Sequence, residues 1–274
     1  MYKEHNEEFA VKSQEKIQPL FIGFKEESLY GCHHEVLHTF KKATPIIICP
    51  PLAHEYERCH RALKQLASAL AKAGFNVLRF DYVGTGDSAG HYEQVDFNNW
   101  RADTHRAIDF FKQRTGAQQV VLCGLRLGAT IAHQVTLERR DVVGSVLWSP
   151  CLKGKQVVAH WRDVQIAHQQ ALGYDLKTDQ ITEVLGFPLS AKVQDQLHKL
   201  NLTQQKILTE IPKYHCIVDE QTHQWQSQQA LLNLGHSFFI DSKGSRIWDQ
   251  EAMEARVPMH IVHAMVSWLQ GAFK

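Results

Sequence analysis

The chain of 274 residues is long enough for one large domain, or for one domain that carries an inserted segment. Its composition, with 44% hydrophobic and 22% charged residues, is that of a globular protein with a sizeable core. The formal net charge of +1 excludes the strong basic bias that is typical of proteins binding nucleic acid or anionic membranes.

The six cysteines contain no Cys-x-x-Cys pair, so a zinc site of that type is not expected. Cys49, Cys123 and Cys216 fall in or beside apolar runs, where a free thiol behaves as a small hydrophobic group. Free thiols in a core indicate a reducing compartment. The first residues are polar, unlike a secretory signal, and no apolar run is long enough to span a bilayer. We therefore expect a cytoplasmic protein without a metal or cofactor.

Short apolar runs alternate with amphipathic helical patterns over the first 150 residues. Residues 20–24 and 28–36 predict a hairpin that opens a sheet. The buried strands predicted after it cover residues 45–49, 75–80, 120–123 and 144–148. The helices predicted between them have apolar stripes within residues 63–70, 100–112 and about 127–139. This alternation favours an α/β fold with a doubly wound, mostly parallel sheet and helices on both faces.

Residues 152–211 interrupt the alternation with a long-helical pattern that is rich in glutamine and histidine and offers no strand to the sheet. We expect this segment to be an inserted helical cap, and residues 1–151 and 212–274 to form the core. An irregular helical excursion that does not contact the site is the alternative. Alternation resumes with strands at 213–218 and 237–241 and helices at 224–234 and 258–269.

The most informative motif is a strand, sharp turn and helix start across residues 120–129. Its residues Gly124-Leu125-Arg126-Leu127-Gly128 keep both glycines of the Gly-x-Ser-x-Gly nucleophile elbow, with Arg126 in place of the serine. A guanidinium is never deprotonated in a protein and therefore cannot attack an acyl carbon. The motif predicts a hydrolase scaffold that lacks its usual nucleophile.

Four stretches carry a resemblance to a known family, and residues 185–190 of the predicted cap also fit it. The stretches are residues 50–55, 81–90, 124–129 and 147–154. On these residues the whole chain resembles an α/β-hydrolase, and more narrowly the hydrolase-2-type proteins associated with exosortase A systems of exopolysaccharide-producing bacteria. The resemblance implies an α/β-hydrolase fold with a cap and a role in exopolysaccharide or related metabolism. The fold alone does not establish hydrolysis.

A working triad also needs a histidine base and an acid that orients it. The base should lie in the loop after the last strand, but residues 242–257 contain no histidine, and we expect Trp248 to fill the space. Asp219, followed by Glu220, stands at the acid position after the strand 213–218. Because nucleophile and base are both missing, a degenerate triad is the simplest interpretation.

Other nucleophiles would be needed for an enzyme. Ser88 sits in a second Gly-x-Ser-x-Gly string, but within a glycine-rich loop where a serine commonly stabilises a turn. Cys151 borders the predicted cap and is an alternative thiol. With His54 and Asp219, these two residues form the pool for an active esterase, thioesterase or acyl-transfer enzyme that uses a non-standard catalytic set.

Arg126 can instead bind an anion. It is predicted to lie at a helix N-terminus, near the backbone amides of Leu52 and Leu127 that would form an oxyanion hole. A guanidinium there favours the carboxylate, phosphate or sulfate of a small anionic or acyl ligand. The further residues expected around this pocket are His54, Glu55, Ser149 and Trp248.

The alternative for Arg126 is an internal ion pair with Asp219, Glu220, Asp81 or Glu55. Three hypotheses follow for the protein. It is a non-hydrolytic binder of a small ligand or a partner protein, an enzyme with a non-standard catalytic set, or a structural partner whose pocket is plugged by Arg126 and Trp248.

Overall fold

The computed structural model describes residues 15–37, 40–174, 181–204, 213–227, 232, 234–250 and 256–273. Its main sheet has eight strands: β1 (Glu15–Ile22), β2 (Leu29–Val36), β3 (Ile46–Cys49), β4 (Val77–Phe80), β5 (Val120–Leu125), β6 (Val142–Trp148), β9 (Tyr214–Asp219) and β10 (His236–Asp241). Their order is β1-β2-β4-β3-β5-β6-β9-β10. β2 is antiparallel to both β1 and β4, and all other neighbours are parallel. The predicted mostly parallel sheet is confirmed.

Helices cover both faces of this sheet. They are α1 (His54–Lys72), α2 (Phe97–Thr115), α3 (Leu127–Glu138), α4 (Gly154–Ala171), α5 (Ala191–Lys199), α6 (Thr222–Ser227) and α7 (Met259–Ala272). Buried side chains of α1 and α7 form one apolar layer, and those of α2 and α3 belong to a second. The strands between the layers are apolar on both sides, as the fully buried β3 shows. Each large aliphatic side chain buried in this way contributes about 1.5–3 kcal/mol to stability.

The segment between β6 and β9 contains α4 and α5 and two strands that the sequence analysis did not predict. β7 (Glu183–Val184) and β8 (Phe187–Pro188) pair with each other in a separate two-stranded sheet. Two-residue strands are too short for an alternating pattern, which explains why the sequence did not indicate them. Residues 175–180 and 205–212 of the predicted cap lie outside the described residues.

The predicted helix at 224–234 is described from Thr222 to Ser227, and residues 228–231 and 233 lie outside the described part. The polar N-terminal residues and residues 251–255 of the loop without histidine lie outside it as well. Among the residues that are described, no helix is long and apolar enough to cross a membrane.

The parallel strands bring the predicted site residues to one edge of the sheet. Leu52 follows β3, Arg126 follows β5, Ser149 follows β6 and Asp219 ends β9. The loop after β10 forms a short 3-10 helix at Ile247–Asp249. The crevice beyond the carboxyl ends of strands is where open α/β sheets bind ligands.

Candidate active site

The turn between β5 and α3 keeps the geometry of a nucleophile elbow. Arg126 stands at its apex with φ 57° and ψ −125°, a left-handed conformation that costs a non-glycine residue about 1–3 kcal/mol. A Cβ on Gly124 would lie 2.5 Å from Cα of Ala129, and one on Gly128 would overlap the carbonyl oxygen of Pro50. Both glycines are therefore required by the close approach of α3 to β5 and to the end of β3.

The guanidinium of Arg126 is paired with Glu55, which lies in the first turn of α1. Its Nη2 is 3.1 Å from Oε1 of Glu55, and its Nε donates a hydrogen bond to the same oxygen at 3.2 Å. The Glu55 side chain is 1% exposed and the Arg126 side chain is 15% exposed. Of the four carboxylates considered from the sequence, Glu55 is the one that forms this ion pair.

Trp248 covers the other side of the guanidinium. The centre of its ring lies 4.9 Å from Cζ of Arg126, within the range of a cation–π interaction. Nη1 of Arg58, one turn further along α1, donates to the carbonyl oxygen of Trp248 at 3.1 Å. The indole thus stands in the loop after the last strand, where a catalytic base would be expected.

Arg126 remains cationic in this environment. Burial by itself would lower the pKa of Arg126, but the negative charge of Glu55 beside it outweighs burial and raises the pKa above its ordinary value. A group that holds its proton so firmly can donate hydrogen bonds but cannot act as a nucleophile or base.

Two histidines lie near this network. His54 is buried against Trp161, and neither of its ring nitrogens has a hydrogen-bond partner among the described residues. Burial, reinforced by the charge of Arg58, lowers the pKa of His54 to about 4, so the ring is neutral at pH 7. His160 of α4 places Nε2 3.5 Å from Oδ1 of Asp249, so the segment between β6 and β9 approaches the loop after β10. Neither ring forms a hydrogen bond with a serine or cysteine of the described chain.

A cleft of 290 Å³ opens beside Arg126 at the carboxyl edge of the sheet. Its charged or reactive lining residues are Arg126, Cys151, Asp219, Glu220 and Arg246, and its aromatic ones are Trp225 and Trp248. Ser149, predicted at this edge, also lines the cleft.

The other predicted ligand-binding residues lie behind the cleft. Leu52, Leu127, His54 and Glu55 are buried and are not among its lining residues. Glu55 reaches the cleft only through its ion pair with Arg126.

The hydroxyl group of Ser88 makes one hydrogen bond within the glycine-rich loop and one to β2. Its Oγ donates to the carbonyl oxygen of Asp81 at 2.6 Å and accepts from the backbone N–H of Tyr30 at 2.8 Å. The side chain therefore ties this loop to β2, which is the turn role that a serine commonly has in such loops.

Cys151 and Asp219 both reach the cleft. Burial raises the pKa of the Cys151 thiol to about 11, which the nearby charge of Arg126 opposes only in part, so the thiol is protonated at pH 7. Burial also raises the pKa of Asp219, although its Oδ1 accepts the backbone N–H of Gln221 at 2.7 Å.

Sequence reasoning missed Arg246 and Trp225 as cleft residues. Arg246 is two residues before Trp248, in a loop already singled out, so its charge was an available signal. Trp225 belongs to the short helix α6, and no local pattern indicated that this helix lies at the cleft.

Comparisons with known proteins agree with this architecture. Est1E from Butyrivibrio proteoclasticus, whose structure has been determined with ferulic acid bound, superposes with a TM-score of 0.67 at 15% identity, covering 92% of this chain and 98% of the other. The Pyrococcus furiosus esterase PF2001 superposes with a TM-score of 0.62 at 12% identity, covering 95% of this chain and 92% of the esterase. Mouse alpha/beta hydrolase domain-containing protein 10 superposes with a TM-score of 0.59 at 15% identity, covering 93% of this chain and 98% of the mouse protein. Likenesses at such identities establish the fold.

The protein is thus an α/β-hydrolase by fold, as the sequence predicted. The family model described as serine aminopeptidase, S33, matches residues 48–210, more than half of the chain, so the protein belongs to that family. A thermostable monoacylglycerol lipase of Bacillus sp. (strain H-257) is 28% identical over 95 residues, which are 35% of this chain. The match spans 37% of the length of that lipase.

Proposed function

We propose that this protein is a non-hydrolytic member of its family that binds a small acid in the cleft beside Arg126. The observation that carries the proposal is the occupation of the elbow apex by a guanidinium held between Glu55 and Trp248. The position from which a serine would attack an ester thus presents hydrogen-bond donors and no nucleophile.

Arg126 has donors left for a ligand. A guanidinium carries five N–H groups, and Glu55 engages the Nε and Nη2 side of it. In the described part of the chain, Nη1 has no hydrogen-bond or ion-pair partner, and the side chain lines the cleft. A carboxylate can therefore bind the remaining edge while the pair with Glu55 stays intact.

The lining of the cleft favours a small monoanion. Arg126 and Arg246 are balanced by Asp219 and Glu220, so an acid would be held by the remaining donors of Arg126 and not by a net charge of the lining. Trp225 and Trp248 border the cleft but are almost fully buried, so they leave little apolar surface for a long acyl tail. A volume of 290 Å³ is at the small end of ligand pockets, which suits a short-chain acyl group.

The biological setting belongs to the same proposal. We take residues 152–211 as a cap over this cleft, because Leu152, Gln156 and Val157 from its start line the cavity. The resemblance to hydrolase-2-type proteins of exosortase A systems suggests a role in exopolysaccharide metabolism. The free cysteines suggest a cytoplasmic location.

A second candidate is favoured by one observation. Cys151 is a potential nucleophile that lines the same cleft as Arg126, so thiol-dependent acyl transfer is the enzymatic alternative. It requires a base that deprotonates a thiol whose pKa is about 11.

The experiment combines ligand binding with turnover. Acetate, butyrate and octanoate are titrated while the melting temperature is followed, and p-nitrophenyl butyrate and an acyl thioester are offered as substrates. We expect a rise in melting temperature with at least one acid, because a ligand at 100 times its Kd stabilises the native state by about 2.7 kcal/mol. Substitution of Arg246→Gln should weaken binding, and Arg61→Gln, exposed on α1 away from the cleft, should not.

Both substrates should be hydrolysed no faster in the presence of the protein than in buffer alone. Turnover that Cys151→Ser abolishes would establish the enzymatic alternative and overturn the binding proposal. Absence of stabilisation by all three acids would also overturn it, and a pull-down complex in that case would favour the structural-partner hypothesis.

A further inference from the structure

A second cavity lies at the antiparallel end of the sheet, between β1, β2 and β4 on one side and α1 on the other. Its volume is 310 Å³, and none of its lining residues lines the cleft beside Arg126. Its basic lining residues are His60, Lys64 and Arg79, its acidic ones are Asp81 and Asp87, and its remaining polar ones include Tyr30, Cys32 and Tyr56.

Arg79 is held in this cavity by a buried histidine. Nε of Arg79 donates to Nε2 of His34 at 3.1 Å, and Nδ1 of the same ring lies 2.8 Å from Oε2 of Glu15. His34 is fully buried, and burial lowers its pKa, so the ring is neutral. A neutral ring that accepts at Nε2 carries its proton on Nδ1 and donates it to Glu15. The chain of three side chains thus fixes the guanidinium by its Nε, and no described residue forms a hydrogen bond or ion pair with either Nη group.

Two basic side chains of α1 line the same cavity as Arg79. His60 and Lys64 stand one turn apart on α1, and both line the cavity with Arg79. After burial, the charges of Arg79 and Lys64 contribute to lowering the pKa of His60, as expected for cations facing one space. Neither Arg79 nor Lys64 forms an ion pair with any carboxylate in the part of the chain that the structure describes.

One of the two carboxylates that line the cavity is engaged by the protein itself. Oδ1 of Asp81 accepts the hydroxyl of Tyr56 at 2.7 Å, and its Oδ2 accepts the backbone N–H of Asp87 at 3.2 Å. Asp81 therefore braces the glycine-rich loop, and among the described residues it forms no ion pair with Arg79. Asp87 is exposed at the rim, where its carboxylate can accept a hydrogen bond from a hydroxyl group.

We propose that this cavity is a second ligand site, which binds a phosphate group through Arg79 and Lys64, as inorganic phosphate or as a small phosphate monoester with a hydroxyl facing Asp87. Phosphate fits better than a carboxylate because it carries between one and two negative charges at pH 7 and meets two cations, the held Arg79 and the exposed Lys64. A guanidinium with both Nη groups available matches two phosphate oxygens at once. The site is independent of the acid-binding cleft, so either proposal can fail alone.

The test titrates sodium phosphate against the full chain at constant ionic strength, with chloride as the balancing salt. Binding is followed by the ³¹P line width and by the melting temperature. We expect Lys64→Gln to weaken phosphate binding about tenfold and Arg79→Gln to abolish it. The matched control is Lys72→Gln, because Lys72 is exposed on the same helix outside the cavity. Glycerol 3-phosphate is titrated in parallel, and tighter binding than phosphate would assign the site to an ester.

Lys64 is exposed, so we expect Lys64→Gln to fold. This variant therefore tests the phosphate site even if Arg79→Gln does not fold. The proposal is overturned if phosphate binds no better than chloride, or if Lys64→Gln binds it as tightly as the unmodified protein. It is also overturned if Arg246→Gln abolishes phosphate binding, because the phosphate would then lie in the cleft beside Arg126.

Discussion

Replacing Arg126 with glutamine should destabilise the protein strongly, because the carboxylate of Glu55 would stay buried without its partner. That carboxylate is 1% exposed, and Arg126 is the cation within 4.0 Å of it among the described residues. Breaking a buried ion pair by removing one partner costs about 3–5 kcal/mol. Loss of the cation–π contact with Trp248 adds about 0.5–2 kcal/mol. At about 2–4 °C per kcal/mol for a large domain, the melting temperature should fall by roughly 7–28 °C.

A double-mutant cycle checks this reasoning. The free energy of unfolding is measured in urea at pH 7 for the unmodified protein, for Glu55→Gln, for Arg126→Gln and for the variant with both changes. We expect the double variant to be more stable than Arg126→Gln, because two neutral amides leave no buried charge. Two outcomes would refute the argument: a loss below about 1 kcal/mol in Arg126→Gln, or additive losses in the double variant.

Three further predictions concern the core. Burial lowers the pKa of His133 to about 4 and that of His215 to about 3, so the unfolded chain takes up protons first as the pH falls below 6.5. Stability should therefore decline between pH 6.5 and pH 4, by about 3 kcal/mol for His133 alone, as measured by urea midpoints. Gly128→Ala should destabilise the fold by several kcal/mol in the same assay, because its Cβ would overlap the backbone of β3 and the residue after it. Lys213→Met should cost about 1–3 kcal/mol, because the ammonium donates to the carbonyl oxygens of Arg139 and Val142.

Each of these predictions has a control. In His133→Gln, the stability should decline less between pH 6.5 and pH 4. An unchanged dependence of stability on pH would show that other groups cause the decline. Gly116→Ala is the control for Gly128→Ala. A Cβ at Gly116 meets nothing within 4 Å, so only the φ of 72° disfavours alanine there and no overlap with the backbone arises. Unchanged stability of Gly128→Ala or of Lys213→Met would contradict the packing and hydrogen bonds that the structure shows.

Local patterns were sufficient for the elements and for the elbow. The strand β3 followed from a short continuous apolar run, because both of its faces are buried, and the helix α1 followed from an apolar stripe of period 3.6, because one of its faces is buried. The two glycines around Arg126 indicated a sharp strand-to-helix turn, since close backbone approach excludes side chains there. The strands β7 and β8 escaped prediction because two residues show no period.

The partner of Arg126 could not be chosen from the sequence, which offered four carboxylates. Strand order decides among them. β3 is the direct neighbour of β5, so Glu55, in the first turn after β3, lies beside the elbow. Asp219 ends β9, which is separated from β5 by β6. Asp81 follows β4, beyond β3, and is engaged by Tyr56.

The sequence by itself thus determined that an arginine replaces the nucleophile at the elbow and that the loop after the last strand has no histidine, since both are properties of a few consecutive residues. Only the tertiary structure decided that Glu55 and Trp248 enclose this arginine and that Arg79, His34 and Lys64 surround a second cavity. These residues are far apart in the chain, and the order in which strands pair, which no local pattern encodes, brings them within hydrogen-bonding and van der Waals distance.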